Sequence, residues 1–409
     1  MVTDTKCFSS RGRPKFHDSP GSKTTTIPRY LFFGGKGGVG KTTAAAATAM
    51  WLLERAGPGE SILLFSTDPA HSLSDCLRKK IGRRPTAVAR RGSARLLATE
   101  MNPESALARF NAAHKDTLAE IADRGTILDR GDVNQLLNLS LPGLDELMAL
   151  FELSEHSRRG LYSHIVVDTA PSGHASRLFR LPDTFAHWLQ ALDQLCEKHR
   201  FMTSLYTRRR RPKQDAAEAF LSDFGKRLDV LRAMFCDINT SALVLVTLPE
   251  AMCVDETVRY RAALVESGVP VSDLIINRIE RDQASCAYCR GRHNLQRPYL
   301  KRIRAEFGDL RLHSVPLLSL DVSGPVALRD FASAAWGKSS LPAKPIVNEK
   351  ARRPSARHQC LIPNPQSTSC PVNLGSKQLL VFGGKGGVGK TTAAASAALA
   401  LAESNSSSR

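Results

Sequence analysis

The stretch GGKGGVGKTT occurs twice, at Gly34–Thr43 and again at Gly383–Thr392, and it constrains the chain more than any other feature. A run so rich in glycine holds a defined shape only when it is clamped between a strand and a helix. The first copy has both clamps. "RYLFF" before it reads as a short apolar strand, and "TTAAAATAMWLLERAG" after it reads as a helix that stops at Gly57. Within it, Gly35-Lys-Gly-Gly-Val-Gly40-Lys41-Thr42 has the G-x-x-x-x-G-K-[ST] spacing of a phosphate loop. The backbone N–H groups of Gly35, Gly37, Gly38, Val39 and Gly40 turn towards phosphate oxygens, and the helix N-terminus adds the positive end of its dipole. Lys41 is expected to reach the β- and γ-phosphates of ATP. The Thr42 hydroxyl is expected to ligate Mg²⁺, with Thr43 completing the nucleotide-binding set.

Further apolar runs of strand length follow at 61–68, 163–171, 241–250 and 273–279, each bounded by turn or polar residues. Helical patterns lie between them, including long stretches near 103–157 and 183–235. Strands alternating with helices imply an α/β fold of the P-loop NTPase type. Its sheet is mostly parallel and covered by helices on both faces, with a helical subdomain beside it. The expected organisation is a disordered segment over 1–28, an ATPase domain over 29–336, a Pro-, Ser-, Lys- and Arg-rich linker over 337–376, and an incomplete second ATPase domain over 377–409. The second copy, offset by 349 residues, marks duplication of a whole domain. One strand and one helix are too little to bury a core, so the chain reads as an interrupted tandem protein.

Composition narrows the function. No apolar run approaches the roughly 18 residues of a membrane span, and the first 28 residues lack the apolar stretch of a secretory signal, so a cytoplasmic location is expected. Nine scattered cysteines do not form a disulfide framework. The net charge of +18 raises the question of nucleic acid. Residues 1–28 and 338–377 supply +9 of it, and the run Arg208–Lys213 supplies +5. The reading is therefore of charge mostly in solvated tails and one loop, not on a folded face, and nucleic acid is not the expected partner.

Four further strings carry a resemblance. Lys36 stands two residues into the loop, where it cannot easily fold back onto its own phosphates. "STDPAHSLSD" (66–75) is similar to a first switch, "VVDTAPSGHASRLFRLP" (166–182) to a second, and "LSLPGLDELMALF" (139–151) and "CAYCRGRHNLQRPYL" (286–300) to further family segments. Over about 29–335 the chain resembles the ArsA/guided-entry family of deviant P-loop ATPases. That family includes arsenical pump-driving and tail-anchored-protein targeting ATPases. The resemblance implies a homodimer in which Lys36 reaches the partner's nucleotide. It also implies that Asp68 orients the attacking water, Asp168 holds Mg²⁺ through water, and Glu250, Asn277 and Pro316 contact the nucleotide. The side-chain amide of Asn277 suits the adenine edge. Cys286 and Cys289 form half of a tetrahedral thiolate site, which two protomers would complete around Zn²⁺.

The leading functional reading is a pump-driving ATPase for arsenite efflux, partnered by a membrane transporter subunit. The thiolates such a site needs are sparse: Pro142 and Gly143 stand in the segment where one is expected, and only Cys196 lies in a later helix. The alternative is a targeting ATPase with a tail-anchored client and a membrane receptor, its groove drawn from Phe185, Trp188, Leu189, Leu192, Leu195, Phe201, Met202 and Leu205. A third reading is a ParA- or MinD-like ATPase acting on DNA or a membrane surface.

Overall fold

The computed structural model of the chain describes residues 27–68, 72–125, 143–169, 172–206, 216–282, 286–318, 321–337 and 392–398. Eight strands make one sheet: β1 (Tyr30–Gly34), β2 (Ser61–Ser66), β3 (Thr86–Arg91), β4 (Ala94–Glu100), β5 (His164–Asp168), β6 (Ser241–Thr247), β7 (Val271–Ile279) and β8 (Arg311–Pro316). Their order is β3-β4-β2-β5-β1-β6-β7-β8, so the strand that feeds the phosphate loop lies inside the sheet between β5 and β6. Every pairing is parallel except β3 with β4, which is an antiparallel hairpin at the edge. The mostly parallel sheet is thus observed, with one exception that the alternation of strands and helices did not show.

The helices are α1 (Lys41–Arg55), α2 (Ser72–Leu77), α3 (Pro103–Gly125), α4 (Leu144–Arg158), α5 (Ser172–Tyr206), α6 (Ala216–Cys236), α7 (Ala251–Glu266), α8 (Ala287–Glu306) and α9 (Gly324–Trp336). The strands are apolar on both sides because both faces are covered. Phe32, Phe65, Ile165, Val167 and Leu243 point to one face, against α4, α5, α6 and α7. Phe33, Leu64, Val166, Val244 and Val246 point to the other, against α1 and α9. The run Ala44–Ala47 on α1 is fully buried, and its small side chains let the helix behind the loop lie close to the sheet. On the opposite face Phe32 packs edge-on against Phe179 and Phe235.

Two sequence expectations change. The stretch expected to be helical from 183 begins at Ser172 and runs on through Pro182. Proline removes one backbone donor but does not end a helix that is held on both sides by packing. The β3–β4 hairpin was not anticipated, because its basic residues mask the period-2 pattern. Part of the basic charge outside the tails and the Arg208–Lys213 run also lies on folded strands. Between Asp75 and Glu100 the chain carries eight exposed basic side chains and no acidic one: Arg90, Arg91 and Arg95 on the strands of this edge hairpin, and the other five on the segment that leads into it from α2.

The chain divides into two compact units, Met1–Gly337 and Lys338–Arg409. In the second, residues 392–398 are helical. The expected linker, the second phosphate loop and the Arg208–Lys213 run lie outside the described residues. Among the described residues no helix is long and apolar enough to cross a membrane.

Candidate nucleotide site

The parallel strands all deliver their C-terminal ends to one edge of the sheet, and the expected site residues collect there, as ligands do in open α/β sheets. Gly34 ends β1, Ser66 ends β2, Asp168 ends β5 and Pro316 ends β8. The loop that follows β1 needs glycine for space and for backbone shape. A Cβ at Gly35 would stand 2.2 Å from the Val246 carbonyl oxygen, and one at Gly40 would stand 2.6 Å from Nδ2 of Asn277. Gly38 and Gly40 have φ of 84° and 96°, which side-chain-bearing residues rarely adopt. Lys41 opens α1 and is buried, with Nζ donating to the Lys36 carbonyl at 3.2 Å.

Beneath the loop lies the dominant charge. Asp168 is completely buried; its Oδ2 accepts from the Ser66 hydroxyl at 3.3 Å, while its Oδ1 has no hydrogen-bond partner. Burial pushes this carboxyl up to about 6, against the Thr42 hydroxyl, the Lys41 ammonium and the Ser66 hydroxyl, while the Asp68 charge adds to the rise. Burial likewise holds the Lys41 ammonium below its ordinary value, opposed by Asp168, Asp68 and Glu256. A buried carboxylate with one orphaned oxygen beside a hydroxyl fits a hydrated divalent cation. The residues present therefore suit Mg²⁺ held next to a nucleoside triphosphate.

Asp68, just past β2, lies on the same side. Its Oδ2 accepts from the Ser72 hydroxyl at 3.1 Å, and Ser72 Oγ in turn lies 3.2 Å from Thr42 Oγ1. Ser72 thus ties the first switch to the loop hydroxyl, a link missed in the sequence although its spacing four residues after Asp68 was visible. Glu100 fixes the same switch from below: its carboxylate accepts from the Ser74 N–H at 2.9 Å and from the Ser74 hydroxyl at 2.8 Å.

Lys36 forms an ion pair with Glu256 of α7 at 3.7 Å. Asn277 donates from Nδ2 to the Val39 carbonyl at 2.9 Å and so braces the loop, an engagement that the adenine reading did not include. It can reach because β7 slips register between Ile276 and Ile279, with Arg278 at a φ of 55°. Glu250 is the exposed N-cap of α7, and Pro316 is buried at the end of β8. Thr43 is near Cys76, whose thiol burial pushes up to about 12. Cys286 and Cys289 lie apart from this group at the start of α8, with the Cys289 N–H donating to Cys286 Sγ at 3.4 Å. That bond is the main cause holding the Cys286 thiol below its ordinary value. The described residues contain no cluster of three or more His, Cys, Asp or Glu side chains able to hold a metal ion, so one chain offers zinc two thiols.

A glycine loop closed on a buried lysine, backed by a strand-end aspartate in a parallel sheet, defines a P-loop ATPase, an enzyme that hydrolyses ATP. The sequence model of the ArsA ATPase family, described as anion-transporting ATPase, matches residues 28–336 and 377–408, and the chain belongs to that family. Among similar curated proteins are ATPase GET3C of Arabidopsis thaliana, 31% identical over 75% of this chain and 82% of the relative, and ATPase GET3B of the same plant, 32% identical over 76% and 79%. ATPase get3 of Neurospora crassa is 29% identical over 78% of this chain and 91% of its own length.

The buried carboxylate has a measurable consequence when nucleotide and divalent cations are removed. Its folded pKa is raised from 3.8 to about 6, so the stability it contributes is complete below about pH 4 and lost as pH rises through 6. Between about pH 4 and pH 7 the wild type should lose about 3 kcal/mol relative to Asp168→Asn. Urea titrations of both proteins across that range measure the difference, and a constant difference would show that the carboxylate is not desolvated.

Proposed function

We propose that this ATPase targets tail-anchored membrane proteins, working in the cytosol as a homodimer driven by MgATP. The observation that carries the reading is the set of relatives named GET3 or ASNA1, about 30% identical over most of the chain, within the ArsA/guided-entry family that the switch strings resemble. It displaces arsenite efflux as the leading reading. No convergent thiolate set stands among the described residues to bind a thiophilic metalloid. The helical layer supplies a chemically suitable client surface: Leu107, Phe110, Trp188, Leu192 and Phe220 are only partly buried against the core.

In this reading the loop N–H groups, Lys41 and the start of α1 bind the phosphates. Thr42 and Asp168 would hold Mg²⁺, which supplies charge neutralisation on the phosphate oxygens. Asp68, oriented by Ser72, accepts a hydrogen bond from the attacking water and sets its approach to the γ-phosphate. Glu250, Asn277 and Pro316 bound the nucleoside side of the site. Lys36, released from Glu256, reaches the partner protomer's nucleotide and stabilises the charge that develops in the transition state.

Three experiments test these assignments. Co-expression with a protein bearing a C-terminal transmembrane segment should yield a complex that survives purification and is lost when that segment is deleted. Recovery of no such complex, together with turnover stimulated by arsenite, would restore the pump reading. Lys36→Ala and Asp68→Asn should each abolish turnover while nucleotide still binds. An equimolar mixture should regain about a quarter of wild-type activity, because half the dimers are mixed and each keeps one complete site. A mixture that stays inactive rules out the lysine acting in trans. Finally, Cys286 and Cys289 should bind zinc at half an equivalent per chain, and Cys289→Ser should abolish it. Protein purified without chelator that carries no zinc by elemental analysis would refute the shared site.

A further inference from the structure

The hairpin of β3 and β4, together with the segment that leads into it from α2, carries a concentration of charge that the nucleotide site does not use. Within 78–95 stand six arginines and two lysines, all exposed, with no acidic residue. Arg83 is paired with Glu152 at 3.2 Å, but Lys80, Arg84, Arg90, Arg91 and Arg95 have no ion pair among the described residues. The antiparallel register also sets Arg90 directly opposite Arg95. Like charges facing each other across a ladder destabilise a hairpin, and an anion bound across this pair would relieve that cost.

Protection of the sheet edge does not account for so much charge. Edge strands are blunted by a bulge and a lysine or two. Both devices are already present, as the register shift between Ala87 and Ala89 and the Lys79 ammonium that donates to the Ala87 carbonyl at 2.7 Å. With that carbonyl occupied and the register broken, the edge is also poorly suited to adding a strand from a partner.

We propose that the β3–β4 hairpin is an electrostatic docking surface for the anionic headgroups of a lipid bilayer. The composition selects this partner. From Arg78 to Arg95 there is no Phe, Tyr, Trp, Asn or Gln, so the hairpin has nothing to stack on a nucleic-acid base and no carboxamide to read one. It has no large exposed apolar anchor of the kind that centres a protein interface. The tip, at Gly92 and Ser93, is small and would rest on headgroups without inserting. What remains is charge without a fixed geometry, which suits a fluid anionic surface. The hairpin is fastened to the first switch at both ends, through Lys79 just after α2 and through Glu100, which holds Ser74. The inference goes beyond the targeting reading, since vesicle binding requires neither client nor receptor.

Co-sedimentation of the full chain with large vesicles tests it. Vesicles of phosphatidylcholine containing phosphatidylserine should bind the protein in a salt-sensitive way, and phosphatidylcholine alone should not. The triple variant Arg90→Glu, Arg91→Glu, Arg95→Glu should lose at least about 100-fold in affinity, roughly fivefold for each positive charge removed. The same reversals at Arg208, Arg209 and Arg210 should cost under about tenfold. The single variant Arg90→Glu places opposite charges across the ladder and should raise Tm by about 1–3 °C, which also shows that the hairpin folds when substituted. Equal losses in the two triple variants, equal binding to both vesicle types, or tighter binding to a random DNA duplex than to the anionic vesicles would each overturn the proposal. So would a fall in Tm for Arg90→Glu.

Discussion

The structure is organised around one unfavourable burial. Asp168 has no exposed surface, and one of its oxygens has no hydrogen-bond partner. A carboxylate in that position is costly unless a cation neutralises it, and the sheet places Lys41, Thr42 and Ser66 around it without satisfying it fully. β1 lies inside the sheet so that the loop rises directly over this charge, and the alanines of α1 bring the helix close behind it. The energy that the fold expends here is recovered when nucleotide and metal bind, which makes the site a strong linkage between ligand and stability.

A second organising feature is the row of α7 side chains that face the loop. Glu256 holds Lys36, and Tyr260 fills the space that a side chain at Gly34 would need, with its ring 2.6 Å from the position of such a Cβ. Thr257 joins Thr247 at the end of β6 through hydroxyls 3.0 Å apart. The loop is therefore shaped from two sides, by α7 and by the Asn277 amide, and its conformation does not depend on glycine alone.

Much of this could be read in the sequence wherever a residue's role depends on its immediate neighbours. The loop spacing, the apolar runs that became β1, β2, β5, β6 and β7, and Asp168 at a strand end are local patterns. Contacts between distant segments were not legible. Asn277 reaches Val39 only because β7 slips its register, and no spacing rule announces a bulge. Lys36 pairs with a residue 220 positions away, so the sequence could show that it was unsuited to its own phosphates but not what holds it. The β3–β4 hairpin was hidden for another reason: Thr86–Ala89 are evenly half-buried and the two exposed residues of β3, Arg90 and Arg91, are consecutive, so the alternation that marks a strand is weak.

The long helix that starts four residues after Asp168 has a mechanical meaning. α5 has 35 residues, a rod of about 52 Å. Its base follows the buried carboxylate in the chain, and Leu178, Phe179, Leu181, Phe185 and Leu189 pack it into the core. A tilt of about 5° at the base displaces the far end by about 4–5 Å, an amplification set by length alone. Pro182, in the third turn, leaves one carbonyl of the rod without its helical donor and supplies the place where such a tilt can be absorbed or passed on.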